Sequence, residues 1–118
     1  MVHVLIIEDE ALIALDLQWM LQDLGVTSTD IADTEAAAVS AAAAHRPDLI
    51  TSDVTLRMGS GPNAVRAIQA VIGPVPVIYV TATPQLCENL APNDRVLAKP
   101  LNESVFVCTF EELRAALA

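Results

Sequence analysis

Four short apolar runs in this chain each end in side chains suited to handling a phosphoryl group. His3 to Ile7 runs into Glu8-Asp9-Glu10, and Leu49 to Ser52 runs into Asp53. Val75 to Val80 runs into Thr81, and Val96 to Ala98 runs into Lys99-Pro100. A fifth run, Val26 to Ala32, ends without such a group. Carboxylates are ligands for Mg²⁺, which takes oxygen donors and keeps several waters. A lysine ammonium and a threonine hydroxyl are the complementary pair for phosphoryl oxygens. If the runs are parallel strands of one sheet, their carboxyl ends share an edge. That edge is where open α/β sheets bind ligands.

The elements that must position these groups follow from the pattern. Strands are expected near 2–8, 26–32, 47–53, 75–81 and 94–98. Helices are expected near 10–24, 34–45, 61–72, 84–89 and 103–117. Strands this apolar, alternating with helices, imply a parallel sheet covered on both faces. Asp9 stands near the cap of the first helix, and Gly25 stops it. Ile13, Leu17, Met20, Leu21 and Leu24 share one face of that helix at helical spacing. Leu12, Leu15 and Trp19 fall on nearly the opposite face and suggest a contact surface, with packing against the last helix as the alternative. The second helix is mostly alanine and should pack close and thinly. Gly61-Pro62 opens the third, whose core face is Val65, Ile68 and Ile72. Phe106, Phe110, Leu113 and Leu117 form a core stripe on the last. Only 17 residues separate Thr81 from Lys99, so the helix between Pro84 and Pro92 has room for one or two turns.

The bulk properties narrow the function. A chain of 118 residues, 53% hydrophobic, is one domain with a proper core. Aromatics make up 3%, so that core is aliphatic. No apolar run is long enough for a transmembrane helix, and Glu8-Asp9-Glu10 interrupts the N-terminal segment before it could be a signal peptide. A cytoplasmic location is expected. The net charge of −9 argues against direct nucleic-acid binding, which needs a basic patch. Cys87 and Cys108 fit no ligand spacing and are expected to be free thiols. His3 and His45 stand apart in the sequence. His3 is expected at an edge of the first strand, and His45 at the end of a helical run, with no partner suggesting a zinc site.

Each chemical signal alone admits a plain structural reading. The acidic triplet could serve a helix N-terminus, where anions are favoured. Asp53 could be a turn residue, Thr81 a cap, and Lys99-Pro100 a loop with a cis proline bond. Together they are specific, because four strand ends supply a carboxylate pair, a carboxylate, a hydroxyl and an amine in order.

In that combination the chain resembles the receiver domains of bacterial two-component response regulators, along its whole length. The resemblance implies a (βα)5 flavodoxin-like fold with sheet order 2-1-3-4-5. It implies that Asp53 accepts a phosphoryl group from a sensor histidine kinase or a histidine phosphotransferase. Glu8 and Asp9 match the acidic pair that holds Mg²⁺ with Asp53, and Thr55 matches the position whose backbone carbonyl completes the metal site. Thr81 matches the switch hydroxyl, and Lys99 the lysine that contacts phosphoryl oxygens. The segment Val77 to Ala82, the glycine-containing loop Leu56 to Gly61 and the short fourth helix are similar to receivers of alphaproteobacterial general-stress regulators. Residues 1–118 are then read as one receiver domain without an output domain, a phosphoacceptor rather than an enzyme. A monomer or weak homodimer is expected.

The chain departs from the usual receiver pattern in three places. Val96 stands where an aromatic switch residue is common. Arg57 stands four residues after Asp53, where proline is common. The fourth helix is short. The signal is therefore expected to act on the segment from Thr83 to Asn93 rather than through a ring flip. Two other function classes compete. A Mg²⁺-dependent phosphatase with an aspartyl-phosphate intermediate needs a second carboxylate two residues after the nucleophile, and Thr55 sits there. A receiver-like interaction module acting without phosphorylation would not need Glu8, Asp9, Asp53, Thr81 and Lys99 together.

Overall fold

In a computed structural model of the protein, residues 2–87 and 90–117 are described. Five strands run β1 (His3–Ile7), β2 (Ser28–Ala32), β3 (Leu49–Ser52), β4 (Val77–Thr81) and β5 (Arg95–Ala98). They alternate with helices α1 (Ala11–Asp23), α2 (Glu35–Ala44), α3 (Gly61–Ile72) and α4 (Glu103–Leu117). Between β4 and β5 stands a single 3-10 turn, Pro84–Leu86. The helix expected over 84–89 is reduced to that turn, and residues 88 and 89 lie outside the described residues. The sheet is parallel with order β2-β1-β3-β4-β5, the flavodoxin-like arrangement expected of a receiver.

Alternation along each strand sends side chains to two separate cores. Leu5, Ile7, Ile50, Val77 and Tyr79 face α2 and α3, against Ala38, Ala42, Val65 and Ile68. Val4, Ile6, Leu49, Ile78 and Val80 face α1 and α4, against Leu17, Leu21, Phe106, Phe110 and Leu113. Both faces being covered is why the central strands read as unbroken apolar runs. The stripe expected on the last helix is buried except at Leu117, which is exposed near the chain end. The face expected for α3 is confirmed, with Ile72 partly buried.

The helix ends explain the element boundaries. Thr34 caps α2 by accepting from the Ala37 N–H, and Ser60 caps α3 by accepting from the Asn63 N–H. Gly25, at φ 87°, follows the end of α1 in the left-handed conformation that terminates helices. Asp9 does not cap α1 as expected. The cap position is Glu10, whose side chain makes no capping bond, and Asp9 accepts instead from the Arg57 N–H at 2.7 Å.

The second face of α1 is free. Leu12, Leu15 and Trp19 are 84%, 47% and 69% exposed, so packing against α4 is excluded. Two substitutions should therefore behave in opposite ways. Phe110→Ala empties a fully buried site in the α1–α4 core and should cost about 3–5 kcal/mol. Trp19→Ala should change stability by no more than about 0.5 kcal/mol. Urea denaturation of both variants checks the contrast.

Candidate functional site

Strand register builds the site. Ile7 pairs with Ser52, so the next residues, Glu8 and Asp53, leave the sheet side by side. Thr81 pairs with Ala98, which puts Lys99 just beyond the hydroxyl. The Asp53 N–H donates to the Ile7 carbonyl at 2.9 Å, and the Lys99 N–H to the Thr81 carbonyl at 2.9 Å. All four chemical groups expected from the strand ends thus meet at one edge. The Lys99–Pro100 bond is cis.

Lys99 is the hub. Its ammonium donates to Asp53 Oδ2 at 2.9 Å and lies 3.0 Å from Glu8 Oε1 and 3.7 Å from Glu10. Its side chain is 11% exposed, so its pairings with Glu8 and Asp53 are shielded from water. Burial alone would lower the Lys99 pKa. The bonds to Asp53 and Glu8 and their charges outweigh it, and the pKa is raised above 10.5. Asp53 is buried, and its other oxygen accepts from the Val54 N–H at 2.7 Å.

Glu8 is also buried, and one oxygen accepts from the Glu10 N–H at 3.1 Å. Its Oε1 pairs with the Lys99 ammonium at 3.0 Å. Burial raises the Glu8 pKa above 4.5, against the lowering effect of Lys99 and the Glu10 N–H, while Asp53 adds repulsion. Oxygens of Glu8, Asp9 and Asp53 lie within 4.8 Å of one another. Three carboxylates converging in one all-oxygen donor set, with Glu8 and Asp53 buried, fit a hard divalent cation such as Mg²⁺.

Asp9, Glu10, Asp53, Thr81 and Lys99 line a cleft of about 420 Å³ with Thr55, Arg57, Thr83 and the small residue Ala82. Thr81 is buried, and its hydroxyl is engaged with Thr83, accepting from the Thr83 N–H and meeting the Thr83 hydroxyl, each at 3.1 Å. Thr55 is exposed and bridges Ser60 across the turn after β3. A larger cleft of about 600 Å³ opens between α2 and that turn, lined by Thr34, Glu35, Ala36, Val39, Met58 and Gly59. Its one titratable group, Glu35, accepts from the Ser60 N–H at 3.2 Å, so it holds no comparable chemistry.

Two supporting features escape the sequence pattern. Glu35 holds the loop that carries Thr55 and Arg57, with its own N–H donating to the Met58 carbonyl at 3.1 Å. Gly59, at φ 90°, leaves room for the Glu35 side chain. Gly61 is required for another reason: a Cβ there would run into the Asp53 carbonyl. The two glycines were visible in sequence, but only the register shows what they approach.

The family model for the response regulator receiver domain matches residues 4–109. The chain belongs to the response regulator receiver family. This is a signalling family, not a classical family of enzymes. The receiver is 43% identical over 85 residues to the phyllosphere-induced regulator PhyR of Methylorubrum extorquens, covering 70% of this chain and 32% of that protein. The solution structure of the Erythrobacter litoralis PhyR receiver domain superposes with TM-score 0.83 at 34% identity, over 96% of this chain and 89% of that one. The anti-anti-sigma factor PhyR of Bartonella quintana gives TM-score 0.81 at 34% identity, over 96% of this chain and 47% of that one. The receiver therefore spans about a third of the curated PhyR that it matches.

Tyr79 lies inside β4, paired with Val96, and burial followed by the nearby Asp94 and Cys87 pushes its pKa up to about 12. No helix of the described residues is long and apolar enough to cross a membrane.

The raised Glu8 pKa makes a directional prediction. A carboxyl whose folded pKa lies above its unfolded value favours folding in its protonated form. That contribution is present below about pH 4.5 and lost as pH rises through the folded value. At neutral pH without metal, Glu8→Gln should melt higher than the native chain, and the gap should close as pH falls through the Glu8 titration. Added Mg²⁺ should raise the melting temperature of the native chain more than that of the variant. Thermal melts at several pH values, with and without Mg²⁺, check both signs.

Proposed function

We propose that this receiver accepts a phosphoryl group on Asp53 from a phosphohistidine of a sensor histidine kinase or a histidine phosphotransferase. The observation that carries the reading is the buried Asp53 carboxylate on the floor of the cleft, held by Lys99 and flanked by the cation-ready Glu8–Asp9 pair. Glu8, Asp9 and Asp53, with the backbone carbonyl of Thr55, would hold Mg²⁺. When bound, Mg²⁺ neutralises charge on the phosphoryl oxygens and so lets an anionic carboxylate approach them.

The chain's own groups do the rest by position and charge. An Asp53 oxygen forms the bond to phosphorus as the bond from phosphorus to the donor imidazole nitrogen breaks, and the freed imidazole takes a proton. Lys99 transfers its contact from the Asp53 carboxylate to a phosphoryl oxygen. Thr81 gives up Thr83 for another, and the loop beginning at Thr83 follows it. Val96 pairs with Tyr79 and is packed against the α2–α3 core, which supports a loop response rather than a ring swing.

The reading carries a cytoplasmic setting with it, and both cysteines are free. A phosphatase role lacks support, because Thr55 provides no second carboxylate. Incubation with a small-molecule phosphodonor and Mg²⁺ tests the proposal. Intact mass should rise by one phosphoryl group in the native chain and not in Asp53→Asn, and Asp9→Asn should lose the Mg²⁺ dependence. An unmodified native chain, or an equally modified Asp53→Asn, would sink the idea.

The exposed Leu12, Leu15 and Trp19 face begins next to the cleft, two residues after Glu10, and supports a role in seating the phosphodonor protein. Trp19→Ala should slow transfer from the donor protein while leaving phosphorylation by the small molecule unchanged. A stopped-flow comparison of the two donors measures the difference.

A further inference from the structure

At the opposite end of β1 from the cleft, the sheet brings together side chains that are far apart in sequence. His3 does not sit at an edge, as its sequence position suggests. It is buried, because β1 is flanked by β2 and β3. Register pairs His3 with Ser28, and its ring Nδ1 lies 2.7 Å from the Ser28 hydroxyl. Two residues along β2, Asp30 points from the same face, and its Oδ2 is 3.1 Å from His3 Nε2. His45, at the end of α2, lays its ring on His3 with centroids 3.5 Å apart and planes 10° apart. One donor atom from each of His3, Asp30 and His45 falls within 4.8 Å of the others. Asp48 adds a further carboxylate, bonded to the His3 backbone N–H at 2.8 Å.

We propose that His3, Asp30 and His45 form a second cation site, for a borderline divalent ion of the Zn²⁺ class. Two imidazoles and a carboxylate are a zinc donor set that leaves a position for water. Nitrogen donors disfavour Mg²⁺, so the site and the acidic cleft divide ions by hardness. Half the geometry is in place. Two ligands of a tetrahedral ion, each about 2.0–2.1 Å from it, stand about 3.3 Å apart. His3 Nε2 and Asp30 Oδ2 are already at 3.1 Å. Ser28 on the far ring nitrogen supplies the outer contact that orients a ligating histidine. His45 completes the set by turning out of the stack so that its lone pair faces the ion. Its side chain is exposed and follows the helix end, so the turn meets no packed core. The ion would then tie the starts of β1 and β2 to the end of α2, roughly 17 Å from the phosphoryl cleft at about 3.3 Å per strand residue.

Titration of the full chain with Zn²⁺ in excess Mg²⁺ tests this, read by calorimetry, thermal melting and histidine ring resonances. The expected result is one Zn²⁺ per chain, a raised melting temperature, and shifts of the His3 and His45 ring signals. His45→Ala and Asp30→Asn replace exposed or half-exposed groups and should fold normally, as circular dichroism would verify. Each should weaken Zn²⁺ binding by more than the about 10-fold that losing an outer-shell contact costs. Both should be phosphorylated by the small-molecule donor as fast as the native chain. Absence of Zn²⁺ binding, its displacement by Mg²⁺, or binding unchanged in His45→Ala would overturn the proposal.

Discussion

One ammonium group holds the functional edge together. Lys99 stands among the carboxylates of Glu8, Asp53 and Glu10, two of them buried. Like charges this close, with little water between them, repel strongly unless a cation lies among them. The end of β5 is thereby tied to the ends of β1 and β3 across the intervening β4. The neutralisation is incomplete, since one Lys99 faces three anions. That residual deficit is what a divalent cation would answer, and it makes the edge responsive to what enters the cleft.

Around that edge the loops are held more firmly than their exposure suggests. The turn after β3 is gripped from two sides, by Asp9 on the Arg57 N–H and by Glu35 on the Ser60 N–H. Gly61 lets α3 begin against the backbone of Asp53 itself. The segment after β4 is built otherwise: its described residues form one 3-10 turn and bury no side chain before β5. Low packing of this kind marks the part of a fold that changes at least cost.

The match to the receiver family and the likeness to PhyR receivers fix the module's type. A receiver is a module, and what it controls depends on the surfaces it presents. Here those include the apolar α1 face beside the phosphoryl cleft and the cleft between α2 and the turn after β3 around Met58. Neither is a feature of the fold as such.

Much of this protein was legible in its sequence. Unbroken apolar runs at β1, β3 and β4 marked a sheet covered on both sides, because strands buried on two faces need apolar residues at every position. Parallel alternation alone puts Glu8, Asp53, Thr81 and Lys99 at one edge. Helical spacing marked a second apolar face of α1 at Leu12, Leu15 and Trp19, and the packing of the last helix elsewhere left it free. Other features had no local signature. Asp9 sits beside a helix start, yet its carboxylate goes to Arg57, a partner 48 residues away. Glu35 carried no mark of its hold on the Ser60 turn. His3, Asp30 and His45 looked unrelated until register set Ser28 beside His3 and the end of α2 above it. Periodicity and composition are local properties, so sequence determined the elements, their buried faces and the edge that bears the chemistry. Which long-range pairs share charge, hydrogen bonds or a stacked ring depends on register and helix placement, and only the tertiary structure decided those.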